Sequence, residues 1–314
     1  FDDADYSQYK YALPTLGKYG LKANFGVVND WLNETPSLIA EDGAFAIKRF
    51  GLHQVEDMIY EGHEISFHGN HHIDYTKLTL EEITNDFKEA KQSMESKLGI
   101  KIPVIHYPYK QYSEKIINAA KNSGFTYGRT QENSTKFNSG SSIDFLKLKT
   151  IVFYNSTTPT IQELDSILIM NKNEWTLLLY HHLFPEVSKE YKLYKKMNDT
   201  NTYTITPFDF VKQIRLIRNS GYWISTISSV AKYIKERDNA VIKTTKNGKT
   251  IYLRIGTNLD PDFYNYPLTI KYSTNYKRFK ITNCAADGIY NAKGNNLFFN
   301  VYPNQDVTIE ILDE

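Results

Sequence analysis

The sequence predicts an α/β fold in which parallel strands close, or nearly close, into a barrel, followed by a small antiparallel β domain. Segments typical of buried strands alternate with segments of helical periodicity about six times between residue 1 and about residue 238. Such alternation indicates βα units and a parallel sheet. From about residue 240 the pattern changes to short strands separated by turns, which is typical of antiparallel sheets. We therefore expect two domains, residues 1–238 and residues 239–314.

The composition is that of an ordinary globular protein. Of the 314 residues, 41% are hydrophobic and 23% are charged, and the net charge is +1. A charge this close to zero argues against nucleic acid or an anionic membrane as partner. No apolar run reaches the length of a transmembrane helix. The single cysteine, Cys284, excludes an intrachain disulfide and a thiolate metal cluster.

The elements of the first domain are predicted from periodicity and from helix-end signals. Strands are expected at residues 23–28, 64–67, 103–106, from 125, 146–153, 175–180 and 222–226, and helices at residues 8–18, 48–61, 79–99, 116–121, 160–171, 206–219 and 230–237. The clearest helix start is Thr79 with Glu82 three residues later, a capping box, and Gly99 is its stop signal. Thr206 and Pro207 form a second start signal.

The second domain is predicted from alternating strands. Val241–Thr244 and Ile251–Ile255 flank the turn signal Asn247-Gly248 and predict a hairpin. Further strands are expected at residues 268–272, 278–282, 297–302 and 307–312. Together they predict a small sandwich-like domain without catalytic groups.

One stretch, residues 62–72, holds four of the eight histidines. His68 and His72 stand four residues apart, so on a helical turn both imidazoles would project from one face. Two imidazoles are half of a divalent metal site, which needs at least one further ligand. Asp2 and Asp3 are the obvious candidates. The competing interpretation is a polar surface loop that is rich in histidine.

The candidate residues fall where predicted strands end. Asp2 and Asp3 begin the chain, His68 follows the strand at 64–67, Pro108 and Tyr109 follow the strand at 103–106, and His181 follows the strand at 175–180. Because functional groups of parallel α/β folds lie at the carboxyl ends of the strands, these side chains are expected to meet.

These motifs resemble those of the NodB-like polysaccharide deacetylases, carbohydrate esterase family 4, over about residues 1–238. Phe1-Asp2-Asp3 is similar to the end of the family's Thr-Phe-Asp-Asp motif, and Gly62-His63-Glu64-Ile65 with His68-x-x-x-His72 is similar to its second motif. Tyr107-Pro108-Tyr109 and Leu179-Tyr180-His181 are similar to its third and fifth motifs. The resemblance implies a distorted (β/α) barrel of the NodB-homology type.

The resemblance also implies a reaction and its cofactor. Asp3, His68 and His72 would hold one divalent metal ion, zinc first, with cobalt, nickel or manganese as alternatives. Asp2 would be the general base toward a water molecule on the metal, and His181 would be the general acid. An ionised base beside a protonated acid predicts a bell-shaped pH dependence of kcat/KM. The substrate would be an acetylated polysaccharide or oligosaccharide, with N-acetyl groups first and O-acetyl groups as an alternative.

Further roles follow from the same resemblance. The backbone N–H of Tyr109 would stabilise the oxyanion, and Trp175 and Leu179 would shape the pocket for the acetyl methyl group. Pro108 and His106 are further expected contacts of the substrate. For Trp175 and His181 a place in the core is the alternative interpretation. His63 and His182 are expected to be structural, and His71 is expected to lie behind the ligands or to be exposed.

The sequence departs from the family pattern at two motifs. His106 stands where many members carry an arginine that pairs with the catalytic aspartate, and Arg129 could supply the missing charge. No aspartate fills the fourth motif, for which Asn155 is the nearest candidate.

Two alternative functions remain open from the sequence. They are a carbohydrate-binding protein with weak catalysis on the same fold, and a hydrolase of small-molecule C–N bonds. Phe1-Asp2-Asp3 lacks the apolar strand that should precede it. We therefore expect the natural protein to extend upstream, with an export signal there and an extracytoplasmic location.

Overall fold

The computed structural model describes residues 1–32, 37–39, 46–133, 138, 143–152, 161–170, 174–192 and 203–312. The chain divides into two compact units, Phe1–Ile227 and Ser228–Glu314. The assignment of residues 1–238 and 239–314 as functional domains stays a prediction. Within the described ranges, no helix combines the length and the apolar character needed to cross a membrane.

A parallel sheet forms the centre of the first unit. Its strands, in spatial order, are β1 Asn24–Val27, β4 Glu64–Phe67, β5 Val104–His106, β6 Tyr127–Asn133, β7 Leu148–Val152 and β8 Leu177–Leu179. Between β1 and β4 the short strands β2 Ser37–Ile39 and β3 Ala46–Lys48 pair with each other. After β8, β9 His182–Leu183 pairs with β10 Thr204–Ile205. Most positions of these strands whose exposure is described are buried, as expected for parallel strands covered on both faces.

The first two residues of the chain close the gap between β8 and β1. The nitrogen of Phe1 donates to the carbonyl of Asn24 (2.8 Å), and the N–H of Gly26 donates to the carbonyl of Phe1 (2.8 Å). On the other side, the N–H of Asp2 lies 3.3 Å from the carbonyl of Tyr180. Asp2 and Asp3 are thereby delivered at the edge where the strands end.

Seven α-helices are described in the two units together. They are α1 Leu13–Tyr19, preceded by the π-helical turn Gln8–Ala12, α2 Leu52–Tyr60, α3 Leu80–Leu98, α4 Glu114–Asn122, α5 Ile161–Met170, α6 Pro207–Asn219 and α7 Ile227–Asn239. The capping box of α3 is confirmed: Thr79 Oγ1 accepts from the N–H of Glu82 (3.2 Å), whose carboxylate accepts from the N–H of Thr79 (2.7 Å). Gly99 ends the helix with φ of +66°.

The predicted strand at residues 222–226 is wrong, since residues 221–226 belong to no strand. Beside β1 the structure has Phe1, whose backbone bonds to Asn24 and Gly26. The side chain of Asn24 instead accepts a hydrogen bond from the N–H of Ile227 (2.9 Å), the first residue of α7. An apolar run therefore leads into a helix here rather than into the sheet.

The second unit contains two antiparallel sheets. Its strands are β11 Val241–Asn247, β12 Thr250–Gly256, β13 Leu268–Ser273, β14 Arg278–Thr282, β15 Gly288–Asn291, β16 Asn296–Val301 and β17 Asp306–Ile311. The larger sheet has the order β11-β12-β17-β14-β15, and β13 pairs with β16. Alternate residues of both sheets form one buried apolar cluster. The predicted fold class, an α/β barrel with a C-terminal antiparallel β region, is thus confirmed.

Candidate active site

Three side chains from two segments, the chain start and the loop after β4, converge at the carboxyl end of the parallel sheet. The Nε2 atoms of His68 and His72 each lie 3.2 Å from Oδ1 of Asp3. Asp3 follows the chain start that lies beside β1, and His68 follows β4 directly. All three ligand atoms lie within 4.8 Å of one another, which is the spacing of ligands around one metal ion.

The two histidines do not share a helical turn, contrary to the prediction. Residues 68–74 form a loop in which Gly69 has φ of +93° and His72 has φ of +52°. A Cβ on Gly69 would lie 3.2 Å from the hydroxyl of Tyr75 and 3.3 Å from Cγ of Pro108. The loop therefore needs glycine there, and its reversal brings His72 back toward His68.

The hydrogen bonds of His68 favour a cation between the three side chains. Its Nδ1 lies 2.8 Å from the carbonyl oxygen of His106, so the nitrogen donates and the neutral ring keeps a lone pair on Nε2. That lone pair faces the carboxylate of Asp3, and two acceptors face each other unfavourably unless a cation or a proton lies between them. Two imidazoles and one carboxylate are a ligand set that zinc accepts, with positions left open for water or substrate.

The backbone at the cluster is strained. Asp3 has φ of +70° and Ala4 has φ of +47°. Such conformations cost of order 1–3 kcal/mol each in residues other than glycine and are maintained where surrounding contacts enforce them. Here the guanidinium of Arg49 donates to the carbonyl of Asp3 and lies 4.3 Å from the ring centroid of Trp31. Arg49 was not predicted, because nothing in its local sequence marks a buried arginine.

Asp2 lies behind the cluster, between two donors. His106 Nδ1 donates to its Oδ1 (2.8 Å), and the guanidinium of Arg129, from β6, donates to its Oδ2. Burial acts to raise the pKa of Asp2, but the charge of Arg129 and the hydrogen bond from His106 hold that pKa well below its usual range. Arg129 thus supplies the charge that the third motif lacks.

Gly26 makes the pairing of Asp2 with His106 possible. A Cβ at this position of β1 would lie 2.7 Å from Nδ1 of His106 and 3.0 Å from Oδ1 of Asp2. Any larger residue would therefore push the two side chains apart. His106 itself is buried and bonded to Asp2, so the structure places it on the candidate base rather than against a sugar, contrary to its predicted contact with substrate.

His181 follows β8 and faces Asp2. Its Nε2 lies 3.8 Å from Oδ2 of Asp2, and its ring centroid lies 4.4 Å from that of Tyr203. Burial lowers the pKa of His181 to about 3, against the opposing charges of Asp2 and Asp3. Within the described part of the chain, its buried Nδ1 has no hydrogen-bond partner. His181 is therefore neutral at rest, which differs from the protonated acid that the resemblance implies.

Of the two residues expected to shape the acetyl pocket, Leu179 lies near His181 and Trp175 does not. Leu179 is buried two residues before His181 and packs with Val152 and Tyr203. Trp175 lies at the opposite end of β8, where its backbone bridges to Asn138 (3.2 Å), so the structure does not bring it to the cluster. Six residues of extended chain separate it from His181, roughly 20 Å.

The loop after β5 borders the cluster. Tyr109 has φ of +52°, its hydroxyl donates to the carbonyl of His72 (3.0 Å), and the two ring centroids are 4.4 Å apart. Pro108 is buried against Gly69. The structure therefore brings both residues to the loop that carries His72.

The other histidines have partners away from the cluster. Nδ1 of His63 accepts from the N–H of Ala23 (3.1 Å), His71 donates to Asp30 (2.6 Å), and His182 donates to Asp5 (2.9 Å). All three imidazoles therefore bond to partners other than Asp3, His68 and His72. Asn155, the candidate for the fourth motif, lies outside the described residues.

Part of this chain is similar in sequence to a known protein family. Residues 1–128 match the family model described as polysaccharide deacetylase. A relative in Bacillus subtilis (strain 168), "Putative polysaccharide deacetylase YxkH", is 26% identical over 132 residues, which make up 42% of this chain and 43% of that protein. The chain thus spans less than half the length of this relative. The suspected resemblance is confirmed over residues 1–128.

Two solved structures are similar at lower identity. The deacetylase PplD of Streptococcus pyogenes, in complex with acetate, is 23% identical with a TM-score of 0.39, over 48% of this chain and 60% of that one. The Xyl-CE4 domain of a multidomain xylanase from the hindgut metagenome of Trinervitermes trinervoides is 16% identical with a TM-score of 0.45, over 75% of this chain and 88% of that one.

Proposed function

Starting from the match of residues 1–128 to the polysaccharide deacetylase family, we propose that this chain removes acetyl groups from a polysaccharide or oligosaccharide. N-acetyl groups of amino sugars are the first choice, with O-acetyl groups as the alternative. The observation that carries the proposal is the convergence of Asp3, His68 and His72, which would hold one divalent cation, zinc first. A polysaccharide substrate also favours an extracytoplasmic location.

The proposed base is Asp2. Arg129 and His106 fix both of its oxygens and keep it ionised, so it is oriented and ready to accept a proton. Its low pKa makes it a weak base. When bound, a divalent cation would lower the pKa of a water molecule from near 16 toward about 7, so that even a weak base can take its proton.

The proposed acid is His181, in a revised form. Because its imidazole is neutral at rest, it must first receive a proton and then pass it to the departing amine. Its Nε2 lies 3.8 Å from Oδ2 of Asp2, the oxygen that Arg129 also contacts. Asp2 would therefore pass the proton that it takes from water to His181. His181 would thus become protonated in the course of each turnover and act as the general acid only then.

The substrate would lie between the loop at Tyr109 and the apolar cluster near His181. The backbone N–H of Tyr109 would donate to the developing oxyanion, an interaction worth roughly 3–4 kcal/mol in comparable sites. Leu179, which lies two residues before His181, packs with Val152 and Tyr203 into an apolar wall suited to the acetyl methyl group. Pro108, which is buried beside Gly69, would support the loop that carries His72.

The test is release of acetate from a panel of acetylated glycans, with and without a chelator. We expect release by the metal-loaded protein, loss on chelation, and recovery when zinc is restored. Asp2→Asn should lower kcat by roughly two to four orders of magnitude while the metal content stays unchanged. Asp30→Asn is the matched control, since Asp30 bonds to His71 outside the cluster, and it should retain kcat within about threefold. Acetate release that chelation does not affect would refute the proposal.

A further inference from the structure

The segment that carries Asp2 and Asp3 is tied to the segment that carries His181. Four consecutive residues, 180–183, each make a hydrogen bond to residues 2–8. The bonds are Asp2 N–H to Tyr180 O (3.3 Å), Gln8 Nε2 to His181 O (2.8 Å), His182 Nδ1 to Asp5 Oδ2 (2.9 Å) and Leu183 N–H to Ser7 Oγ (2.9 Å). The two segments are 173 residues apart at Gln8 and His181. Their alignment is therefore a tertiary feature with no local cause.

Gln8 differs from the other residues in these four hydrogen bonds because its side chain contacts both candidate catalytic residues, Asp2 and His181. Its side-chain nitrogen donates to the carbonyl of Asp2 and to the carbonyl of His181. Its two N–H groups thus connect the backbone of the candidate base with that of the candidate acid. The side chain is fully buried, with 0% exposure.

The burial of this amide carries a cost that packing alone does not explain. Within the described residues, Oε1 of Gln8 has no hydrogen-bond partner. A buried polar atom left unpaired costs about 1–3 kcal/mol, whereas an apolar side chain of the same volume carries no such penalty. Gln8 also begins the π-helical turn Gln8–Ala12, a rare conformation that is frequent at functional sites.

We propose that Gln8 is a positioning residue for the deacetylation proposed above: its amide fixes the carbonyls of Asp2 and His181 and thereby sets the separation of their side chains. Oδ2 of Asp2 and Nε2 of His181 are 3.8 Å apart, which is longer than the hydrogen-bond distance that proton transfer needs, so a small shift of either backbone changes whether the two groups can meet. Active-site groups must be held within about 0.5 Å of their working geometry, and a misplacement of about 1 Å can cost a hundredfold in rate. The inference rests on the proposed function only for its kinetic consequence.

The first test is Gln8→Met, which retains the length and volume of the side chain and removes both donors. We expect kcat to fall about 10- to 100-fold, KM to stay within about threefold, and the metal content to stay at wild-type level. Gln213→Met is the matched control. Gln213 is a second buried glutamine, 2% exposed, whose Oε1 accepts from the hydroxyl of Tyr180 (2.8 Å). It contacts neither carbonyl through its amide, and its variant should keep kcat within about threefold.

A second variant, Gln8→Glu, gives a signature that a merely structural role would not produce. A glutamic acid can donate one hydrogen bond when protonated and none when ionised. The kcat of Gln8→Glu relative to wild type should therefore rise as the pH falls. A ratio that is constant with pH would contradict the role of the amide as donor.

A crystal structure of Gln8→Met separates failure of this inference from failure of the proposed function. We expect the distance between Asp2 Oδ2 and His181 Nε2 to change by about 0.5 Å or more. This readout needs no substrate, so it decides the inference even if the wild-type protein releases no acetate. An unchanged distance in the crystal, or a fall in kcat no larger than that of Gln213→Met, would overturn the inference.

Discussion

At the scale of single residues, the site is organised around one buried carboxylate. Asp2 receives His106 and Arg129 on its two oxygens and faces His181, while its neighbour Asp3 faces His68. The sequence identified these residues because each stands in a short motif at a strand end. The geometry additionally shows that His106 and Arg129 act on Asp2 together, which spacing alone did not predict.

The residues that sequence reasoning missed share one property. Gln8 and Arg49 bond to backbone carbonyls of Asp2 and Asp3, through contacts between segments that are distant in the chain. Such contacts leave no periodicity and no charge pattern nearby. A buried polar side chain with a long-range partner can only be found once the fold is known.

The protonation state of His181 gives a prediction at this scale. Burial lowers its pKa to about 3, so the imidazole is neutral from about pH 5 to pH 9. The bell-shaped profile assumed that His181 is protonated at rest. We instead expect that deprotonation of His181 causes no fall of kcat/KM at alkaline pH. His181→Ala should reduce kcat/KM by roughly two orders of magnitude or more at each pH. An alkaline limb that is present in the wild type and absent in His181→Ala would contradict this account.

At the scale of elements, strands and helices with clear end signals were predicted well. The helix Leu80–Leu98 begins after its capping box and ends at Gly99, as its sequence indicates. The segments that were predicted wrongly are those whose position depends on contacts with distant parts of the chain. Residues 222–226 have strand-like composition but belong to no strand, while the backbone of Phe1 bonds to β1. Trp175 was assigned to the pocket by resemblance, whereas strand direction places it at the far end of β8.

The helix α7 supplies a prediction about pH and stability. Glu236 is fully buried, and its carboxylate accepts a hydrogen bond from the N–H of Tyr266 (3.0 Å). Burial raises its pKa to about 7, although this hydrogen bond and the charge of Lys232 act to lower it. Because the pKa in the folded state lies above the ordinary value of 4.5, the stability of the second unit should fall as the pH rises from 4.5 to about 7.

The comparison variant is Glu236→Gln, which keeps an oxygen for Tyr266 and removes the charge. Its melting temperature should exceed that of the wild type by roughly a few degrees at pH 8, and the difference should shrink toward pH 5. Thermal unfolding followed at both pH values measures this. A difference that is the same at both pH values would show that Glu236 does not titrate as the burial implies.

At the scale of the whole molecule, the alternation of strands and helices was sufficient to predict the barrel and the change to antiparallel structure. The family match covers residues 1–128 and therefore includes Asp2, Asp3, His68 and His72. Arg129 and His181 lie beyond it, and the structure brings both side chains to Asp2. The second half of the first unit thus completes a site that the matched half begins.

The second unit, Ser228–Glu314, contains no histidine, as the sequence shows. Its two sheets enclose their own apolar cluster. We therefore keep the prediction that it is accessory to the reaction and carries no catalytic group.

The most direct test of the central claim is the metal content of protein purified without chelator. We expect about one equivalent of divalent cation in the wild type and loss of most of it in His68→Ala, because that change removes one of three ligands. His71→Ala is the matched control, since His71 stands beside the ligand His72 but donates to Asp30, and it should retain the metal. Full metal content in His68→Ala, or equal loss in His71→Ala, would contradict the assignment of Asp3, His68 and His72.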